Sequence, residues 1–463
     1  MTKKSFNLRI VAMIACLVVT GMMLAGCNKN NEPSAISVAD VSSLTQEVFA
    51  DNVCGNSSIS FTTTGSWTSN ISTVAPSALS PQMKAKADSP EWISISPESG
   101  LAGAHTVDIT LETNQTGEDR AAIITFSCNG TDISATVTQR ATLKGGVPYE
   151  PNVYVAGWER NAQGHSVAKV WINGVPHALS DGNYDAQALS VFVYGGIVRV
   201  AGWETNENGE YVATLWVDGV AQRLSSQSSQ ANSVYVSNTG VVYVAGRNYG
   251  SAALWTNGSL TTLLEGTDAN SVYVSNTGTV YVGGSYGVGQ FFFTYSPRLW
   301  IDGNNVSESH FKGGGGGYIQ SVFVFENNDK KDIYTSGHRG SVTVEDGRIW
   351  KNGEIIFRGY DYLDIKEITS VFVSNDNVYA TGYGNVTVGK VPLWVNGVMQ
   401  SLGNTGTTAW TNSVYVVGSK HYVAGNVVGD NFVFQAAVWK NGDEQRLTNG
   451  TNESSANSVF AAW

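Results

Sequence analysis

Positive charge is scarce in this chain and is nowhere gathered. Lys and Arg number 27 against 38 Asp and Glu in 463 residues, the net charge is −11, and charged residues make up only 14%. Without a basic stripe, the composition argues against a nucleic-acid partner. The six histidines (His105, His165, His177, His310, His338, His421) are scattered and none falls in a metal-binding spacing. Neither a Gly-x-Ser-x-Gly elbow nor a His-Glu-x-x-His stretch occurs. The glycine run Gly313–Gly317 lacks the Lys-Ser or Lys-Thr of a phosphate loop, and Asp-rich calcium loops are missing. No catalytic residue, metal or cofactor is expected. What the chain has is glycine, 51 residues, and 11% aromatics. Both suit a turn-rich all-β protein.

A phrase of Trp, any residue, Asn or Asp, then Gly occurs seven times, at Trp171, Trp216, Trp255, Trp300, Trp350, Trp394 and Trp439, spaced 45, 39, 45, 50, 44 and 45 apart. Asn-Gly and Asp-Gly favour the type I′ hairpin turn, whose two central residues need positive φ. The period is that of one four-stranded propeller blade. Two more phrases recur seven times. Ser-Val-(Tyr/Phe) begins at Ser190, Ser233, Ser271, Ser321, Ser370, Ser413 and Ser458. An apolar strand ending in Gly recurs at Val153–Gly157, Val198–Gly202, Val242–Gly246, Val280–Gly284, Ile333–Gly337, Val378–Gly382 and Tyr422–Gly425. The first blade lacks its Ser-Val strand, and Ser458 stands alone at the far end. We therefore expect a seven-bladed β-propeller over residues 150–463, closed by the C-terminal strand, which removes an exposed sheet edge. In blade order the strands are A (Ser-Val), B (ending in Gly), C (ending in Trp) and D (after the Asn-Gly turn). The repeated Trp residues are expected to pack between blades, and Asp218 and Asp302 to be turn residues.

The N-terminus carries Lys3, Lys4 and Arg9 and then an apolar run, Ile10–Leu24, too short and too terminal for a spanning helix. It ends Leu24-Ala25-Gly26-Cys27, which resembles the lipobox of bacterial lipoproteins. That resemblance implies a signal peptide over 1–26, lipid attachment at Cys27, a polar tether over 27–34, and an outer-membrane protein held by its lipid alone. Surface and periplasmic orientation are left open. Cys54 and Cys128 could pair outside the cytoplasm, although Cys128 beside the Asn129-Gly130 turn and Cys54 ahead of its strand argue against it.

Residues 35–141 form a Ser- and Thr-rich block with short alternating strands at Ser58–Thr62, Thr106–Leu111, Ala122–Phe126 and Ile133–Thr138. Trp67, Trp92-Ile93-Ser94-Ile95-Ser96-Pro97, Ser99-Gly100, Asn114-Gln115-Thr116-Gly117, Arg120, Ile123-Ile124-Thr125 and Gln139 follow the order of the BACON family. The block resembles that immunoglobulin-like module of Bacteroidetes envelope proteins, which implies a β-sandwich and a carbohydrate- or mucin-binding role. Trp67 and Trp92 are read as core in preference to sugar-stacking rings, and a spacer role for the block is equally open. The propeller phrases resemble those of Bacteroidetes propeller lipoproteins. They lack the Trp-Asp ending of WD repeats and the consistent Gly-Gly of kelch blades.

Function on a β scaffold sits on its longer connections, and here those are the B–C and D–A loops. The residues directly after each strand-B glycine vary while the frame repeats: Trp158, Trp203, Arg247, Ser285, His338, Tyr383 and Asn426. The D–A loops are expected to add Tyr184, Phe311, Tyr318, Tyr360, Tyr362 and Trp410. Aromatic faces beside Arg, His and Asn suit sugars, so Trp158, Trp203, Arg247, His338, Tyr383, Asn426 and Trp410 are the candidate ligand-binding residues. A monomer binding glycan or a glycan-bearing partner is expected. The alternatives are a polysaccharide-degrading enzyme, with carboxylates such as Glu204 and Asp361 converging, and a protein-binding scaffold.

Overall fold

The computed structural model describes residues 35–38, 44–48, 54–73, 90–112, 114, 119–139, 141, 143–144, 147–148, 150–288, 294–311, 316–327, 330–341, 344–359, 365–384, 390–404, 408–429 and 432–462. Residues 1–34, with Cys27 and the expected signal peptide and tether, lie outside them, as do Tyr360, Asp361 and Tyr362. The fold is all-β. Among the described residues the one helical element is the turn Ser307–His310, and no helix is long and apolar enough to cross a membrane.

Two sheets make up the N-terminal part. One runs in the order Ile36–Val38, Cys54–Thr63, Gly103–Leu111, Ile93–Ser96; the other in the order Thr45–Val48, Thr131–Gln139, Arg120–Cys128, Trp67–Thr73, Ser99–Gly100. The expected strands are present and longer, three of them at both ends and Thr106–Leu111 at its start alone. Alternate residues of each sheet share one core, including Ile59, Phe61, Val107, Ile109, Ile124, Phe126 and Val137. Trp67 is 1% exposed and meets Phe61 edge-on at 5.0 Å, so it is core, as the sequence led us to expect. Trp92 is half-buried beneath the Arg120 guanidinium, 4.4 Å from its ring. Arg120 also donates to Gln139 Oε1 (2.9 Å) and to the Glu112 carbonyl (2.7 Å), while Asn114 Nδ2 donates to the Gln139 carbonyl (3.2 Å). Four of the residues that carry the family resemblance, Trp92, Asn114, Arg120 and Gln139, thus form one network at the strand ends. Cys128 is a buried free thiol paired in register with Trp67.

Residues 152–462 form seven four-stranded antiparallel sheets. Six run in chain order with A first: Ala186–Tyr194 opens sheet 2, Ser229–Val236 sheet 3, Asp268–Val274 sheet 4, Gly317–Asn327 sheet 5, Ile365–Ser374 sheet 6 and Ala409–Val417 sheet 7. Sheet 1 begins with B, Asn152–Arg160, and takes its A strand from Ser454–Ala462, which pairs along its whole length.

Each repeated residue has a local reason. The Asn or Asp of every turn has φ between 46° and 52°. Its side-chain oxygen also accepts the N–H that opens strand B (Val153, Val198, Val242, Val280, Ile333, Val378, His421) at 2.8–3.0 Å. Only an acceptor is needed, so Asp218 and Asp302 serve as well as Asn. All seven Trp residues are at most 1% exposed and fill the cores between successive sheets. Opposite each strand-B glycine, strand A carries a bulge. The bulge aims a carbonyl oxygen at the place a Cβ would take, from Ser455, Gln187, Gln230, Asp268, Tyr318, Glu367 and Trp410 in sheet order. These glycines are required by close approach rather than by a positive φ.

Two sets of contacts join the A strands in a cycle that returns to its start. Each Ser-Val serine accepts from the Val N–H of the next sheet, from Ser190 to Val234 and onward to Ser458 and Val191, at 3.0–3.3 Å. The aromatic residues two places on (Phe192, Tyr235, Tyr273, Phe323, Phe372, Tyr415, Phe460) touch in the same order, centroids 4.6–5.1 Å apart, and Phe460 meets Phe192.

Candidate functional site

The residues after the strand-B glycines do not open loops. Strand B continues past them, and each lies opposite a strand-A residue in register: Trp158 with Ser455, Trp203 with Gln187, Arg247 with Gln230, Ser285 with Asp268, His338 with Tyr318, Tyr383 with Glu367 and Asn426 with Trp410. Directly opposed residues share a face, so each sheet presents one two-residue station at the same level. Nor are all B–C connections long, since in sheet 3 Tyr249-Gly250 alone turns the chain, both at positive φ. A strand rises about 3.3 Å per residue, which puts the stations roughly 15 Å from the aromatic cycle along strand A.

Between the two levels lies the bulge residue, one before each serine. Asn232, Asn270, Asn412 and Asn457 each donate Nδ2 to a strand-A carbonyl of the next sheet at 2.8–3.0 Å. Thr369 makes the same bond with its hydroxyl, to Thr411 at 2.9 Å. Sheet 2 has Leu189 here, and sheet 5 has Gln320, which turns to a side chain instead.

That side chain is Glu367, 4% exposed and the best-organised group at the station level. Its carboxylate accepts from Tyr318 Oη and Tyr383 Oη, each at 2.7 Å, and from Gln320 Nε2 at 2.8 Å. Glu367 thereby fixes the rings of two adjoining stations. The Tyr318 ring lies 5.0 Å from that of His338 and 6.2 Å, edge-on, from Tyr295, which is 38% exposed. His338 Nδ1 and Ser336 Oγ, two residues apart on one face, are buried without a hydrogen-bond partner among the described residues. Similar atoms lie elsewhere in the molecule, among them the indole N–H groups of Trp171, Trp216, Trp255 and Trp439; this pair differs in lying beside the Glu367 cluster.

The other candidates are less gathered. Trp158 is half-buried with the Arg160 guanidinium 5.8 Å from its ring. Trp203 is 7% exposed against Tyr211, 4.2 Å away. Arg247 lies 3.8 Å from Asp268. Ser285 is buried, and Asn426 Oδ1 accepts the Ala456 N–H at 3.1 Å, a bond that joins sheet 7 to sheet 1. Trp410 is 38% exposed and stacks on Phe434 at 4.7 Å. Tyr184 is exposed and Phe311 packs on Trp350. Burial raises the carboxyl pKa of Glu204, Arg223 lowers it and Asp181 adds to the rise. Among the described residues no group of three or more His, Cys, Asp or Glu could hold a metal ion. Glu367 and Gln320 were missed by sequence reasoning, and nothing local announces them. The bulge Asn residues precede four of the seven Ser-Val phrases and were there to be read.

One family matches part of the chain, described as "Putative binding domain, N-terminal". Residues 84–140 match BACON. No curated protein matches. The solved structures with loose similarity include the following three. A Bacteroides ovatus GH5 xyloglucanase in complex with a heptasaccharide is 24% identical over 23% of this chain and 19% of its own, with a TM-score of 0.18. A puromycin-hydrolysing peptidase of Mycobacterium tuberculosis is 12% identical over 72% of this chain and 52% of its own, TM-score 0.41. A quinoprotein alcohol dehydrogenase-like protein of Bacteroides thetaiotaomicron is 7% identical over 93% of this chain and all of its own, TM-score 0.33. The BACON match covers the Trp92–Arg120–Gln139 network and leaves the seven sheets outside it.

Proposed function

We propose that this chain is a lipid-anchored envelope protein of the Bacteroidetes type, attached at Cys27 to the outer membrane. In this reading the N-terminal sheets form an immunoglobulin-like sandwich and the seven sheets form the blades of a closed propeller. Its activity is non-catalytic binding of carbohydrate, or of a glycan-bearing partner, at the station level. The cycle of serine bonds and aromatic contacts supports the closed ring. The observation that carries the binding role is the Glu367 cluster: ring faces of Tyr295, Tyr318 and His338 beside fixed phenol oxygens and an unpartnered imidazole nitrogen. Sugars present apolar faces and hydroxyl edges in alternation, and a mixed surface of this kind matches both. Glu367 accepts three hydrogen bonds and serves to position its neighbours.

The test is a calorimetric binding screen of the chain from Asn28 onward against mucin O-glycans and plant polysaccharides. Binding is expected, and Tyr318→Ala with His338→Ala should weaken it by about ten-fold or more, the scale of an aromatic contact plus a hydrogen bond. Trp158→Ala with Trp203→Ala, on the opposite part of the cycle, is the comparison. Loss in that pair alone would move the site to sheets 1 and 2. Binding to no glycan, with every polysaccharide left intact, would replace the reading with a protein-binding scaffold. Shortened polysaccharide would establish an enzyme.

A further inference from the structure

Three guanidinium groups stand on one face of sheet 5. Arg348 and Arg358 are directly opposite each other in its third and fourth strands, and Arg339 lies opposite Asp346 one pleat away. Residues opposed across an antiparallel pair, or two apart along a strand, project to the same side. All four therefore lie on the side occupied by Trp350. Asp346 sits among the cations and accepts from Arg348 Nε at 2.7 Å. Arg358 is exposed, and Arg339 and Arg348 are partly so. The Arg339 pKa is lowered, by burial first and then by Arg348 and Arg358, which shows how closely the three charges crowd. Like charges placed opposite one another destabilise a sheet. This chain, with only 27 Lys and Arg in 463 residues, nevertheless sets three of them together. Asp346 offsets one of these charges and leaves the face with an excess of positive charge.

We propose that Arg339, Arg348 and Arg358 form an anion subsite that takes the carboxylate or sulfate groups of an acidic polysaccharide. The guanidinium fork matches both groups with paired N–H donors. The anion chemistry stands on the three arginines alone, and the polysaccharide rests on the glycan reading above. Arg339 follows His338 directly and points to the other face of the strand, so the subsite flanks the Tyr318–His338 station. An extended chain crossing the top of sheet 5 meets sugar-facing rings on one side and cations on the other.

Two measurements on the chain from Asn28 onward test this. In the first, polygalacturonate, chondroitin sulfate and a neutral glucomannan are titrated at low and high salt. The acidic polymers should bind about ten-fold more tightly than the neutral one, the scale of a charge-assisted pair, with the preference shrinking as salt rises. Arg339→Gln with Arg358→Gln should abolish the preference and leave neutral binding unchanged. In the second, melting temperature is followed with sodium glucuronate and sodium sulfate against sodium chloride of equal ionic strength. Both anions should stabilise the wild type and not the double variant. Equal affinity for acidic and neutral polymers, together with no specific stabilisation by either anion, overturns the subsite. Stabilisation by the anions with no polymer bound keeps the subsite and overturns the polysaccharide reading instead.

Discussion

At Gly202, a single added methyl group would overlap the carbonyl oxygen of Gln187, which a backbone bulge holds in place. Relief requires the bulge itself to move, so Gly202→Ala should cost about 2–3 kcal/mol. Gly219 differs: its φ is +81° and nothing lies near its missing Cβ, so Gly219→Ala meets backbone strain alone, about 1 kcal/mol. Denaturant unfolding of the two variants measures the difference, and equal costs would show that the bulge yields easily. Both glycines repeat in every sheet. The turn glycine could be explained from Asn-Gly alone, because its cause lies within four residues. The strand glycine could be counted but not explained, because its cause lies on another strand.

The same division holds for elements. Strands A to D, the turns and the placement of Ser454–Ala462 beside Asn152–Arg160 were legible, since each is written as a repeated phrase. Side-chain bonds between neighbouring sheets were not. Asn412 Nδ2 reaches the Ala456 carbonyl at 2.9 Å and helps to join sheet 7 to sheet 1. Asn412→Leu should cost about 1 kcal/mol, the net worth of one such bond, without loss of fold. Sheet 2 already manages with Leu189 at this position. Asn412→Thr should recover most of the loss, since Thr369 makes the equivalent bond in sheet 6. A lower denaturation midpoint for Leu than for Thr is the outcome to look for. The Glu367 cluster lay beyond reach for a related reason. Tyr318 and Glu367 are 49 positions apart, and only the packing of sheet 5 on sheet 6 brings them together.

On the scale of the whole molecule, three tyrosines of the seven-membered aromatic cycle make stability depend on high pH, as do Tyr154 and Tyr422 outside it. Burial raises the pKa of Tyr235 from 10 to about 12, and raises Tyr273 and Tyr415 as well. A folded pKa above the unfolded one means a stabilising contribution that is whole below pH 10. It fades as pH climbs, for Tyr235 between 10 and about 12. Melting temperature should therefore fall steeply above pH 10, and Tyr235→Phe should make the fall shallower. A fall of unchanged steepness in that variant would remove Tyr235 as a cause. The shared sheet that joins Asn152–Arg160 to Ser454–Ala462 has a different consequence, for synthesis. Arg160 and Glu453, an ion pair at 3.0 Å, are separated by 293 positions. At about 5–20 residues per second, a nascent chain waits on the order of 15–60 s between the two. Until Ser454–Ala462 is in place, the edge of Asn152–Arg160 is open to any passing strand. Arrival of the C-terminal strand, rather than the folding of the first sheet, therefore sets how long that edge stays open.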